Sequence, residues 1–550
     1  MRSCKLLAAV LVCSAFAARA DFTDLYADAF DVPQNKAPRT GHSSVVLIPV
    51  QVDFGTYQPV DLDRLHKFFA TSAAGELSFQ RYYEIASSNR YHPAVTVAPL
   101  VEYAGCPAIL RGSGCSLAKG SPTALAQDMD FVRDVFRRAH DEGKVDFSKF
   151  DANGASGSPD GVIDGAMIVV NIPGSGLAVP IQYVNSGSNL AGGTGGALVL
   201  DGVKIPYVAI GGASFLADGS QHLEYAILRE FGHLLGLADL SYVHPSGGDK
   251  WPVWEGLHFS LMGDYDESEN VPLPDAESRR ALGWQTHEVL SGTQTLTLLP
   301  AGAGGISVKL GMMGQSRHEY FLAEARGPAQ GVDTGVRDSR GGPTWGLALY
   351  HVDWSKGPKA ATGEWPGRML FCLDCDPYHP FVRNLESDGS FALVSQGAAD
   401  AIRSHSGGGS VTDDAVLFEG GAISSMPSAQ PLTETNRYVA TNYYDGSESG
   451  VAVRDIKVNA DHSVTATFTA PAVDDTCTDV VCGSMEQCVE TGALAGNCVA
   501  VETSIPDAGL FTPPVTASGC SSTGGAGTVA LVAIAGLALA AVRRNKGRRV

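Results

Sequence analysis

Near residue 292 the hydrophobic pattern of this chain changes period, and one layer of secondary structure cannot serve both halves. Upstream, compact apolar runs alternate with segments of helical spacing. Residues 43–54 (SSVVLIPVQVDF) read as a buried strand, 59–87 as helical material ending in Tyr82-Tyr83, and 124–142 as a second long helix. Residues 166–172 read as another apolar strand and 221–237 as the strongest helix of the chain. Downstream come short β-rich runs split by Gly, Pro and Asp: 293–299, 305–310, 319–324, 346–352, 451–458 and 463–468. The expectation is an α+β domain over 43–290 followed by an all-β sandwich over 291–470. With 550 residues, 44% of them hydrophobic and 18% charged, the chain is long enough for both and too apolar for disorder.

Both ends carry targeting patterns. Residues 1–20 combine Arg2 and Lys5, an apolar run from Leu6 to Ala18, and Ala18-Arg19-Ala20, the small-x-small pattern that a signal peptidase cuts. A short segment, 21–42, then precedes the first strand. At the other end, residues 528–542 are apolar and run directly into Arg543-Arg544, a length that just spans a bilayer with the cations left inside. The formal charge of −20 becomes −28 for residues 21–520, because eight of the 39 Lys and Arg lie in the two end segments while all 59 Asp and Glu lie between them. Such a body repels phosphate backbones, so nucleic acid is excluded as a partner.

Cysteine usage agrees with export. Removing Cys4 and Cys13 with the signal leaves nine, of which eight can pair and Cys520 is left over. Cys106 and Cys115 are placed to close a small loop. Cys477, Cys482, Cys488 and Cys498 form a module over 475–500 too short to have a core, so disulfides are its expected staple. Cys372-Leu-Asp-Cys375 has a spacing shared by zinc and redox sites. No second CxxC completes a four-sulfur site and no thioredoxin-like pattern surrounds it, which favours a local disulfide. Residues 501–520 read as a linker or stalk and 521–550 as a transmembrane or sorting segment.

The helix at 221–237 carries the chemistry. At 100° per residue, His222, Arg229 and His233 share a narrow polar stripe, with Glu230 beside it, while Leu223, Ile227, Phe231, Leu234 and Leu235 spread over the opposite side. The run Arg229-Glu230-Phe231-Gly232-His233-Leu234-Leu235-Gly236-Leu237-Ala238-Asp239 has the layout HExxHxxGxxD of a zinc-peptidase helix, except at its first letter.

On that run the sequence resembles the secreted zinc metallopeptidases typified by immune inhibitor A. The resemblance covers roughly 43–290 and extends more weakly to about 468. Its specific parts are EFGHLLGLADL (230–240), Ser260-Leu261-Met262-Gly263 as the Met-containing turn below a metal, and Ala281-Leu282-Gly283-Trp284 at the end of the domain. EYFLAEAR (319–326) and GLALYHVD (346–353) are weaker matches. The resemblance implies a zincin-like fold and hydrolysis of peptide or protein substrates by zinc-activated water. It implies His233 and Asp239 as zinc ligands, Glu230 as general base and Met262 as the floor of the site. Family members usually carry a long pro-segment, where this chain has only the short stretch after the signal. The block Ser518-Gly519-Cys520-Ser521-Ser522 and the segments behind it resemble myxobacterial-type sorting tails, which implies a Gram-negative cell envelope; a plain membrane anchor is the alternative.

The departure lies at the first ligand. Arg229 has five donors, no accessible lone pair and a permanent positive charge, so it cannot coordinate a cation. One expectation is that the guanidinium replaces the metal and pairs with Glu230 and Asp239, leaving an inactive scaffold. The other is that zinc survives on Glu230, His233 and Asp239, with the base lost. His222 cannot substitute, because eleven residues of helix put it about 16 Å from His233. Elsewhere, Asp151, Asn153, Asp160 and Asp164 resemble an acidic Gly loop that binds calcium, with a solvated turn as the alternative. Asp264, Asp266, Glu267 and Glu269 read as a solvated loop, and His258 as structural.

Overall fold

The computed structural model describes residues 37–54, 59–69, 77–115, 122–153, 158–172, 177–180, 198–212, 222–237, 240, 242–243, 253–254, 260–262, 271–311, 319–336, 340, 342–353, 382–385, 387, 417–424, 440–471, 486–488 and 498–500. The signal, the linker, the C-terminal segment and Cys372, Cys375, Cys477 and Cys482 lie outside them. No described helix is long and apolar enough to cross a membrane.

The apolar run at 43–54 is the centre of a six-stranded sheet. Strand β1 (Gly41–Asp53) lies between β4 (Gly165–Val170) on one side and β2 (Tyr91–Val97) with β3 (Val101–Ala104) end to end on the other, all parallel to it. β5 (Leu177–Pro180) closes the far edge antiparallel to β8 (Tyr207–Gly212), which itself runs parallel to β4. A two-stranded ribbon, β6 (Leu198–Leu200) with β7 (Val203–Ile205), precedes β8, and β9 (Tyr242–Val243) pairs with β10 (Val253–Trp254).

A parallel sheet has to be covered on both sides, which explains why β1 and β4 are continuous hydrophobic runs with no alternation. Val46, Ile48, Val50, Ile168 and Val170 face one core, which holds Phe131, Val132, Val135 and Phe136 of helix α3 (Pro122–Asp141). Val45, Leu47, Met167 and Val169 face the other, beneath helices α1 (Leu62–Phe69), α2 (Phe79–Ala86) and α4 (His222–Leu234). Cys106 and Cys115 are disulfide-bonded with Cα atoms 5.7 Å apart, closing a 3-10 turn beside the α3 core as the sequence predicted.

The downstream part is two sheets face to face. One has the order β11-β13-β14-β15-β16, built from Glu288–Leu290, Ser307–Leu310, Glu319–Arg326, Gly346–Asp353 and Val382–Leu385. The other has the order β12-β19-β18-β17, built from Gly292–Leu298, Val464–Ala470, Ala452–Val458 and Ile423–Ser424. Their facing side chains, among them Phe321, Ala323, Leu347, Leu349, Val453, Ala466 and Phe468, form one core. In the Cys-rich module, β20 (Glu486–Cys488) pairs antiparallel with β21 (Cys498–Ala500), which sets Cys488 opposite Cys498.

Strands β14 and β15 are buried along all eight of their residues because each face meets a different core. Phe321, Ala323, Leu347 and Leu349 point into the sandwich. Tyr320, Leu322, Ala348, Tyr350 and Val352 point into the same cluster as α2 and α4. The sandwich therefore supplies a wall of the upstream core.

Polar residues stitch that wall to helix α5 (Ala276–Ala281). Arg326 is completely buried and donates to Asp333 through Nε (2.9 Å) and Nη2 (2.7 Å) and to Glu324 through Nη1 (3.1 Å). Arg279, from α5, donates to the other oxygen of Glu324, and Tyr350 donates its hydroxyl to Glu324 at 2.7 Å. Burial of Glu324 disfavours its charge, but the two guanidinium groups outweigh it and hold the carboxyl below its usual range. This fork-to-fork pairing satisfies charges that would otherwise be costly in a dry seam.

Candidate functional site

Helix α4 presents the predicted stripe. Ile227, Leu228, Phe231, Leu234 and Leu235 are buried in the core below the sheet, while Arg229 and His233 are only partly buried on the outer side. Glu230, placed beside the stripe by its helical angle, is 5% exposed, so its carboxylate sits at the boundary between stripe and core. Two close approaches fix how the helix lies. At Gly165, the first residue of β4, an added Cβ would stand 3.0 Å from the Phe231 ring; at Gly232 it would stand 2.9 Å from Met262 Sδ. A Cβ at 232 therefore requires the buried Met262 side chain or the helix to shift.

The helix stops as its sequence requires. Gly236 takes φ of +96°, Gly236 N donates to the His233 carbonyl at 2.9 Å and Leu237 N donates to the Gly232 carbonyl at 2.9 Å. This is the Schellman pair of C-terminal bonds, which needs a residue comfortable in left-handed backbone. The turn also brings the Leu237 carbonyl to within 2.8 Å of His233 Nδ1. Because a carbonyl only accepts, Nδ1 carries the proton and the lone pair is on Nε2, the tautomer that a ligating imidazole needs.

Met262 is buried below Gly232. Its carbonyl accepts from Leu240 N at 2.7 Å, which ties the turn to the chain leaving α4. Ser260 Oγ donates to Asp275 Oδ2 at 2.9 Å and accepts from Met262 N at 3.3 Å. Asp275 is also the N-cap of α5, accepting from Ser278 N at 2.9 Å and Ser278 Oγ at 2.6 Å. Burial pushes the Asp275 carboxyl up, against the pull of those donors. The Met turn is thus coupled through α5 to the buried ion network of the sandwich wall.

At the departure from the peptidase pattern, Arg229 Nη1 lies 3.5 Å from Glu230 Oε1, with the arginine side chain 23% and the glutamate 6% exposed. Between positions 229 and 233 the stripe therefore carries the His233 imidazole and an ion pair. Asp239, His258, and the acidic residues Asp264, Asp266, Glu267 and Glu269 lie outside the described residues.

The acidic segment 151–164 folds onto itself and onto the start of β1. Asp151 accepts from Asp160 N (2.9 Å) and Gly161 N (2.8 Å), and Asp160 accepts from Val162 N (3.0 Å). Asp164 is fully buried, accepting from Ser44 N (2.7 Å) and Asn153 N (3.0 Å), while Asn153 Nδ2 donates to the Thr40 carbonyl (2.8 Å). Burial pushes the Asp164 carboxyl up to about 6 despite these amide donors.

A second polar constellation went unnoticed in the sequence. His287 Nδ1 lies 2.6 Å from Ser307 Oγ and its Nε2 lies 3.0 Å from Glu277 Oε2, the order of a nucleophile, base and acid. Ser307 is completely buried between α5 and β13, however, so the chain of bonds is a strut rather than a reactive site. Burial lowers the affinity of His287 for a proton and pushes the neighbouring Lys309, seated over the Tyr320 ring at 3.7 Å, down to about 8. The only signal in the sequence is Glu277, Arg280 and His287 recurring close to an apolar segment, which fits an exposed turn equally well.

No family model matches the chain, and no curated protein matches it.

Proposed function

We propose that this chain is an exported, envelope-anchored protein of the immune inhibitor A-like metallopeptidase type in which Arg229 has taken the place of the metal. Its role is to bind peptide or protein segments at the surface rather than to cleave them. The observation that carries the reading is the Arg229–Glu230 ion pair, 3.5 Å across. His233 retains the Nδ1–carbonyl bond that orients a ligating ring, and Gly232 still rests on Met262. The residues do not fit zinc at this stripe. A guanidinium has no lone pair, it brings a fixed positive charge to where the cation would sit, and it engages the carboxylate that would act as general base. No hydrolytic step follows from such a set. The export signal, the acidic body and the C-terminal apolar segment support a location at the surface of a Gram-negative envelope.

Of the two readings of 151–164, the turn is the better supported, since Asp151, Asp160 and Asp164 all serve backbone amides. Calcium is therefore left out of the proposal.

The test compares purified wild type with Arg229→His in casein digestion and in metal analysis after dialysis. The reading expects no digestion and no tightly held zinc in wild type, with metal uptake appearing only in the variant. Wild-type digestion that a chelator abolishes overturns it.

A further inference from the structure

On the far side of the molecule's sequence from α4, two histidines that stand fifty residues apart meet across β1 and β2. The parallel register pairs His42 directly with His92, and their rings stack with centroids 4.8 Å apart and planes 21° from parallel. His42 is exposed and His92 is 26% exposed, so the pair opens to solvent. His92 Nδ1 lies 3.1 Å from Glu84 Oε1, on the last turn of α2. That carboxylate is itself fixed: Gln80 donates to Oε1 at 2.8 Å, and Arg81 lies 3.8 Å from Oε2. The Glu84 carboxylate only accepts, so His92 Nδ1 carries the proton and Nε2 keeps the lone pair.

From this arrangement we infer that His42 and His92 form a surface site for one late first-row divalent cation of the Zn²⁺ or Cu²⁺ class, with Glu84 as the residue that orients His92. Two neutral imidazoles on adjacent strands are donors that these borderline ions prefer, and a change in side-chain torsion brings the outer nitrogens from stacking distance to a shared ion. Among the described residues no third Cys, His, Asp or Glu joins them, so the remaining coordination positions go to water or to a donor from a partner. The rigid part of the site is the backbone: β1 and β2 are paired over seven residues, and Gly41 N donates to the Arg90 carbonyl at 2.7 Å just outside the pair. The inference does not depend on the state of the Arg229 stripe.

The test is calorimetric titration of the whole, chelator-treated chain with Zn²⁺ and separately with Cu²⁺ at pH 7.5. The expected result is one saturable ion per chain. His42→Ala and His92→Ala should each weaken it by at least ~10-fold, and Glu84→Gln by ~10–100-fold, the loss typical of removing an outer-shell partner. His42 is exposed, so its alanine variant keeps the fold, which far-UV circular dichroism checks. Binding that persists in both alanine variants, or no saturable binding in wild type, overturns the site. If the ion sat on α4 instead, His233→Ala would abolish binding while His42→Ala would leave it intact, which separates this failure from a failure of the proposed function.

Discussion

Replacing Arg326 with methionine is the sharpest probe of how this molecule is held together. The guanidinium is completely buried and serves two carboxylates at once, Asp333 through two bonds and Glu324 through one. Methionine keeps most of the volume and removes every donor, so Asp333 loses its charged partner while Glu324 keeps Arg279 and the Tyr350 hydroxyl. Leaving a buried anion without its partner costs about 3–5 kcal/mol. Against a total stability of roughly 5–15 kcal/mol, that is a large fraction, and 3 kcal/mol alone shifts the folded-to-unfolded ratio by about two powers of ten. The assay is urea unfolding followed by tryptophan fluorescence and far-UV circular dichroism. Both probes should move together, because Trp284 lies in the upstream core and Trp345 packs against Gly327 at the end of β14. The double variant Arg326→Met/Asp333→Leu should recover part of the loss by removing the stranded anion. A loss below about 1 kcal/mol in the single variant, or two well-separated transitions in wild type, would refute the idea that this network joins two parts into one cooperative unit.

Gly232→Ala should destabilise the chain: crowding the buried Met262 costs roughly 1–3 kcal/mol, against about 1 kcal/mol gained from better helix propensity, and a raised melting temperature in thermal melts would refute the contact. The carboxyl of Glu319 is pushed up to about 9, first by burial and then by Asp353. The folded state therefore holds a proton that the unfolded chain releases, so this group's contribution falls as pH rises from about 4.3 towards 9. Glu319→Gln should flatten that slope in urea midpoints measured at pH 5, 7 and 9, and an unchanged slope would exclude Glu319 as its source. Peptide mapping without reductant should recover Cys106 linked to Cys115 and, from the register of β20 and β21, Cys488 linked to Cys498.

Much of this architecture was legible because burial writes a period into a strand or helix. The runs at 43–54, 166–172, 293–299 and 463–468 coincide within a residue or two with β1, β4, β12 and β19, and the helix at 221–237 overruns the end of α4 by three residues. The polar stripe of α4 was legible for the same reason, since the face that packs on Phe79 and Tyr83 leaves only one direction for Arg229 and His233. Strand β8 was missed because it runs into the Gly-rich stretch 210–220, although Val208, Ala209 and Ile210 are buried between β4 and β5. The double burial of β14 and β15 was out of reach as well. Period two in EYFLAEAR shows that Glu324 and Arg326 share a face, but only Arg279 and Asp333, distant in sequence, make that face an interior one. The His42–His92 pair depends on parallel register, which no local pattern encodes.

The shared wall has an evolutionary consequence. Strands β14 and β15 belong to two cores at once, so a recombination event that cut the gene near codon 290 would give one descendant an α4 layer open to water and the other a sandwich with an oily outer face. Lineages carrying either product would be purged before any question of function arose. A change after residue 471 leaves both cores untouched, because their described members all lie before it.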